Sequence, residues 1–274
     1  MIPPRIAIIA GAGQFPFHVA QEAKRQGCTV IVIGIRGWVD PALATHADVY
    51  EEIAVGQLGT FIERLKSHEA RQAIFAGKVT KDVLLDPRTG FDGEAISLLE
   101  QAGSATVGAL LGAVATRLTT EGITLLDSST FLKSQLCPSG VLTVRGPSPI
   151  EQADIRVGVH VARALATLDV GQTVVVKARV VVAVEALEGT DAAVQRAHAL
   201  AGDPLVVVKT AAAQQDRRFD LPVIGRRTIE TFKAAGVSCL AMEAGATLLL
   251  DRAHVIEDAN TAHLCLVGIA IPPG

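Results

Sequence analysis

Short apolar runs and helically spaced stretches alternate along most of this chain. Positions 5–10 (RIAIIA) form a continuous apolar run, and a helix is predicted from about 16 to 26. Positions 29–35 (TVIVIGI) are a second β-rich run, 56–69 again has helical spacing, and 72–77 (QAIFAG) reads as a third strand ending in glycine. A polar loop follows, then helical stretches at about 92–101 and 105–121 and a strand at 122–127. Strands that alternate with helices predict a parallel sheet with helices on both faces.

The segment CPSGVLTVRGPSP (137–149) carries three prolines and two glycines and marks the boundary. The sequence therefore predicts an α/β protein with a Rossmann-like parallel-sheet domain over 1–145 and a second α/β domain over 146–274. The second domain opens with a long amphipathic helix at about 150–168 and two β-branched runs within 173–186. Helices at about 191–201, 226–235 and 252–259 then alternate with strands at 205–209, 238–243, 247–251 and 263–269.

Composition narrows the picture. A chain of 274 residues suits two ordinary domains, and 49% hydrophobic residues are enough to build their cores. No apolar run reaches the roughly 18–20 residues of a membrane span. The apolar N-terminal stretch, cut short by Gly11, Gly13 and Pro16, reads as strand and turn rather than a signal peptide, so a cytoplasmic protein is expected. A net charge of −3 argues against a nucleic-acid partner. Cys28, Cys137, Cys239 and Cys265 form no C-x-x-C pair, which fits buried thiols in a reducing compartment better than a zinc site.

Two turns in the first half are suited to phosphate. GAGQFP (11–16) joins the first strand to a helix, where glycines admit close approach and the helix N-terminus favours an anion. Pro16 stands where a dinucleotide fingerprint needs a third glycine, and the second strand ends in Gly34-Ile35-Arg36 without an acid. A nicotinamide-dependent oxidoreductase is therefore poorly supported. After the third predicted strand, Gly77 and Lys78 repeat the logic, a small residue beside a point charge.

The second half carries clustered acids. Glu185, Glu188 and Asp191 lie within VEALEGTDAA, with Thr190 or Asp191 placed to cap the next helix. Asp220 follows Arg217, Arg218 and Phe219, and Glu243 and Gly245 lie in EAGAT. Carboxylates near Lys177, Lys209, Arg217 and Arg218 suit a Mg²⁺-assisted phosphate site, because Mg²⁺ takes one or two carboxylates and leaves its other positions to water and phosphate. Solvated surface ion pairs would explain the same residues. The histidines form no H-E-x-x-H, and Ser128-Ser129 lacks a nucleophile elbow.

GAGQFP, GKV, DVGQTVVVK, VVAVEALEGTDA, QDRRFDLPVIG, TIETFKAAG and EAGATLLLDR, in this order and spacing, resemble the UDP-2,3-diacylglucosamine pyrophosphatases of the LpxI type. The resemblance covers nearly the whole chain and is densest over 169–252. It implies two α/β domains with substrate between them, and Mg²⁺-dependent hydrolysis to UMP and 2,3-diacylglucosamine 1-phosphate (lipid X) in lipid A synthesis. It also implies that the acid of RFDLP, here Asp220, lies at the catalytic centre.

Residues and resemblance together give one candidate set. Asp220, Asp191 and Glu188 are the catalytic candidates, and Asp220, Asp191 and Glu185 the metal ligands. Gly11, Gly13, Gln14, Phe15, Gly77, Lys78, Thr190, Lys209, Gln215, Arg218, Glu243 and Gly245 are the substrate contacts. The chain departs from the family pattern at Ala212 and Ala213, where relatives continue with lysine and proline, and at Ala246, where they carry lysine. That departure motivates an alternative, a nucleotide-sugar-binding or regulatory protein that keeps the fold without the chemistry. A diacylated substrate implies transient contact with the inner face of the cytoplasmic membrane, and the apolar C-terminal strand leaves room for a homodimer.

Overall fold

The computed structural model describes residues 5–79, 89–102, 107–212, 216–219 and 221–271. Among these, the residues of 1–132 and 216–220 pack as one unit, and those of 133–215 and 221–274 as a second.

The first unit contains β1 (Arg5–Ala10), α1 (Phe15–Arg25), β2 (Thr29–Ile35), β3 (Val49–Ile53), α2 (Leu58–Ser67), β4 (Gln72–Ala76), α3 (Gly93–Ala102), α4 (Val107–Thr120) and β5 (Thr124–Leu125). Its sheet runs β3-β2-β1-β4-β5, parallel throughout. β1 lies at the centre, and every residue after Arg5 is buried, which is why it reads as an unbroken apolar run. Strand β3 was not predicted. Its sequence VYEEI buries only Ile53, as an edge strand half open to water does. The expected third strand is therefore β4, the immediate neighbour of β1. Strand order reverses between β1 and β4, and in such sheets ligands bind beyond the carboxyl ends at that reversal.

The second unit contains β6 (Gly140–Val141), α5 (Pro149–Thr167), β7 (Thr173–Lys177), β8 (Val180–Val184), α6 (Thr190–Ala201), β9 (Leu205–Lys209), β10 (Val223–Ile224), α7 (Arg226–Ala234), β11 (Val237–Glu243), β12 (Leu248–Leu249), α8 (Arg252–Thr261) and β13 (Cys265–Ile269). Its main sheet, β6-β13-β11-β9-β7-β8, is mixed. β9, β11 and β13 are parallel, whereas β6, β7 and β8 join antiparallel to their neighbours. β10 and β12 form a separate parallel pair.

Helix α5 covers one face over Val174, Val176, Val206 and Val208. It starts at a Ser148–Glu151 capping box and lies so close that a Cβ at Gly158 would stand 2.4 Å from a Val208 methyl. Helices α6, α7 and α8 bury Val194, Phe232 and Val255 against the other face. The sheet also accounts for the position of the boundary. β6 pairs with β13, so residues 133–145 pack with the second unit rather than the first, where the proline-rich stretch had suggested they belong. β13, the apolar C-terminal strand, is interior and flanked by β6 and β11. Among the described residues no helix is long and apolar enough to cross a membrane, and all four cysteines are buried.

Candidate functional site

The carboxyl edge of the first sheet is built by backbone. The turn after β1 and the turn after β4 are joined by a two-residue bridge. Ala12 N–H donates to the Lys78 carbonyl (2.8 Å), Lys78 N–H returns to Ala12 (2.9 Å), and Gly11 N–H donates to Ala76 (2.9 Å). Gly11 and Gly77 are glycines because of this approach. A Cβ on Gly11 would stand 2.6 Å from the Lys78 oxygen, and Gly77 adopts φ +92° with its Cβ position 2.8 Å from the Ala12 oxygen. Gly13, at φ +96°, faces open space. Gln14 is the exposed N-cap of α1 and makes no side-chain capping bond, Pro16 lies in the first turn, and Phe15 is buried in the core. Lys78 is exposed, and among the described residues no acid pairs with it.

The first unit also holds the segment 216–219. Ser128, 2% exposed, donates its N–H to the Arg217 carbonyl (2.9 Å), and its hydroxyl reaches the carbonyls of Arg218 (2.7 Å) and Phe75 (3.0 Å). Asp127 pairs with Arg217 (3.0 Å) and accepts from Ser129 N–H (2.7 Å). Phe219 packs edge-on against Phe75 in the core. Arg218 binds Asp216 through Nε (2.9 Å), holding that carboxyl below its usual range, and lies over the Phe219 ring. Both arginines upstream of Asp220 thus have acid partners. Asp220 and Gln215 lie outside the described residues.

At the carboxyl edge of the second sheet, side chains do this work. The register sets Lys209 of β9 opposite Thr173 of β7, and Glu185 N–H bonds to the Thr173 carbonyl, so the ends of three strands stand side by side. Lys209, 6% exposed, donates to Thr173 Oγ1 and Thr190 Oγ1 (2.9 Å each) and lies 3.6 Å from Glu185 Oε2. Thr190 donates to Glu185 Oε1 (2.7 Å), and Gln172 N–H reaches Oε2 (3.4 Å). Burial pushes the Glu185 carboxyl up, but the Lys209 charge and the bonds from Thr173, Thr190 and Gln172 outweigh it and hold it below the ordinary range.

The remaining acids have separate environments. Glu188 is exposed and paired with Arg196 (2.6 Å), which lowers its carboxyl pKa. Asp191 is exposed in the first turn of α6. The N-cap is Gly189, so neither Thr190 nor Asp191 caps this helix. The Thr190 hydroxyl points to Glu185 instead. Glu243, at the end of β11, pairs with Arg163 of α5 (2.9 Å) and accepts the Ala211 N–H (2.9 Å). Gly245 turns the chain at φ +72°, with its N–H on Cys137.

For a metal, the donor set can be weighed directly. Among the described residues no three His, Cys, Asp or Glu side chains stand together as a metal group. Glu185 already has both oxygens engaged, whereas Asp191 has no partner among the described residues. Sequence reading missed Thr173, Arg163 and the Asp127-Ser128 pair. Thr173 is visible only through its cross-strand register, and Ser128 only once its role is sought in holding a loop rather than in nucleophilic attack.

Comparison with known proteins closes the question of kinship. The LpxI N-terminal domain model matches residues 5–135 and the LpxI C-terminal domain model residues 138–267. The UDP-2,3-diacylglucosamine pyrophosphatase LpxI of Caulobacter vibrioides is 30% identical over 276 residues, spanning 97% of each chain. The first match ends three residues past the structural boundary at 132/133, the second starts five residues past it, and neither domain is left out, so this chain belongs to the LpxI family.

Proposed function

We propose that this chain hydrolyses the pyrophosphate of UDP-2,3-diacylglucosamine to UMP and 2,3-diacylglucosamine 1-phosphate, a step of lipid A synthesis. The observation that carries this reading is the match across both domains to a pyrophosphatase of that specificity. The open turn at Gly13, the start of α1 and the Lys78 ammonium, which has no acid partner among the described residues, are assigned to phosphate oxygens. Mg²⁺ is assigned to Asp220, and Asp191 is kept as a ligand candidate because its carboxylate is uncommitted among the described residues. When bound, the ion would neutralise pyrophosphate charge and acidify a water. Glu185 is reassigned from metal ligand to the counter-ion of Lys209. The acyl chains of the substrate require transient contact with a bilayer surface.

The test is UMP release from UDP-2,3-diacylglucosamine with Mg²⁺, with chelator, and with Asp220→Ala. The native protein should release UMP, and chelator or substitution should each reduce the rate roughly 10²-fold or more. Absence of release from folded protein would sink the substrate assignment. Release indifferent to chelator would remove Mg²⁺, and release indifferent to the variant would remove Asp220.

A further inference from the structure

Two cysteines in the second unit face each other. The β11–β13 register sets Cys239 directly opposite Cys265. Both are 0% exposed, and both lie in the cluster beneath α5, so the two thiols share one face of the sheet. Neighbouring strands lie about 4.8 Å apart. That spacing falls inside the Cα separation of roughly 4.4–6.8 Å that a disulfide spans.

A cation stands at one end of the pair. The Arg145 guanidinium lies across the starts of the two strands. It donates to the Ser238 carbonyl (2.5 Å), one residue before Cys239, and to the His263 carbonyl (3.2 Å), two before Cys265. Glu151 holds it from behind with two bonds of 2.8 Å. The Arg145 side chain is 38% exposed, so this end of the sheet meets water at Arg145. Its positive charge acts on both sulfurs.

We infer that Cys239 and Cys265 form an oxidisable dithiol, converted by a hydroperoxide to a cross-strand disulfide. Cys265 loses its proton, its thiolate attacks one peroxide oxygen and the O–O bond breaks; Cys265 becomes the sulfenic acid, and the other oxygen leaves as hydroxide, which takes up the released proton to give the first water. The Cys239 sulfur then attacks that sulfur, its proton goes to the departing hydroxide, and a second water leaves. Two thiols lose two hydrogens and one peroxide becomes two waters. Arg145 stands at the starts of both strands, and with Cys239 opposite it the Cys265 thiol is held below its ordinary pKa against its burial, while its partner and burial together raise Cys239, so Cys265 attacks first. Burial raises the Cys28 and Cys137 thiols.

The test oxidises the folded, reduced full-length chain with hydrogen peroxide and maps its peptides without reductant. The expected result is a mass lower by two hydrogens, one Cys239–Cys265 cross-link, and Cys28 and Cys137 still alkylatable after denaturation. An unchanged mass with four alkylatable thiols, or a cross-link through Cys28 or Cys137, overturns the inference. In Cys239→Ala, dimedone should trap a sulfenic acid on Cys265. In Cys265→Ala, labelling of Cys239 should be roughly tenfold slower or more; equal rates would refute the assigned order. If a variant does not fold, the native mapping still decides the linkage.

Discussion

The two units finish the carboxyl edges of their sheets in opposite ways. In the first, Gly11 and Gly77 let two turns bond backbone to backbone, and the Lys78 ammonium is left uncommitted among the described residues. In the second, Lys209, Glu185, Thr173 and Thr190 satisfy one another, as do Arg163 and Glu243. A glycine-rich turn thus need not mark a ligand, since these glycines are explained by the neighbouring chain. A cluster of acids and bases need not mark one either, since its members can be each other's partners. Availability, rather than residue type, separates a binding group from a structural one.

Removing a counter-ion from the second edge gives the largest expected effect. Glu185→Ala would leave the Lys209 ammonium buried beside two hydroxyls, and losing one partner of a buried pair costs about 3–5 kcal/mol. Glu185→Gln keeps an acceptor for Thr190 and should cost less. Replacing both members, as in Glu185→Leu with Lys209→Met, should recover much of the loss. Urea denaturation measures all three. A loss below about 1 kcal/mol for Glu185→Ala would mean that Lys209 is not held by this network and is open to a ligand.

Acid probes the same unit. Arg145, Ser238 and Ser148 hold the Glu151 carboxyl down, against its burial, to about 2 from an ordinary 4.5. A carboxyl depressed on folding contributes stability above its unfolded value. That contribution fades as pH falls below about 4.5 and is gone near 2, a loss of about 3 kcal/mol. The lowered Glu185 adds in the same direction. Amides of β9, β11 and β13 should therefore lose exchange protection at a higher pH than those of β1 and β4. The reverse order would place the acid-labile contacts in the first unit, and Glu151→Gln should flatten the dependence.

Much of this fold is legible because its central strands are buried on both faces. The runs 5–10, 29–35 and 205–209 are apolar without interruption and became β1, β2 and β9 with the same bounds. What escaped is what pairing alone creates. VYEEI is polar and becomes a strand because β2 offers it an edge. Val223–Ile224 and Gly140–Val141 are two-residue strands fixed by β12 and β13. The site was less legible for a similar reason. Lys209, Thr190 and Glu185 are brought together, yet their partner Thr173 is set by an antiparallel register that no local pattern encodes.

Backbone approach at the first edge predicts a smaller effect. Gly77→Ala puts a Cβ at positive φ and within 2.8 Å of the Ala12 oxygen, so it should cost about 2–3 kcal/mol. Gly13→Ala has comparable backbone geometry (φ +96°) with nothing within 4 Å, and should cost about 1–2 kcal/mol. The difference between the two, read from thermal or urea unfolding, isolates the clash. Equal losses would show that the bridge between the turns yields easily, and would remove the structural reason for Gly77.

Lys78→Ala should change stability least and binding most clearly. Its side chain is exposed and pairs with no acid among the described residues, so truncation should stay within about 0.5 kcal/mol of the native protein. A charge-assisted bond to phosphate is worth roughly 1.5–3 kcal/mol, or about ten- to hundredfold in affinity. Calorimetric titration with UMP should show that loss in Lys78→Ala but not in Lys66→Ala, whose ammonium already pairs with Glu121. Equal binding by all three proteins would mean that the glycine turns serve only to join β1 and β4. The anion contacts would then have to come from cations that are paired in this structure, and the contrast between the two edges would lose its functional meaning.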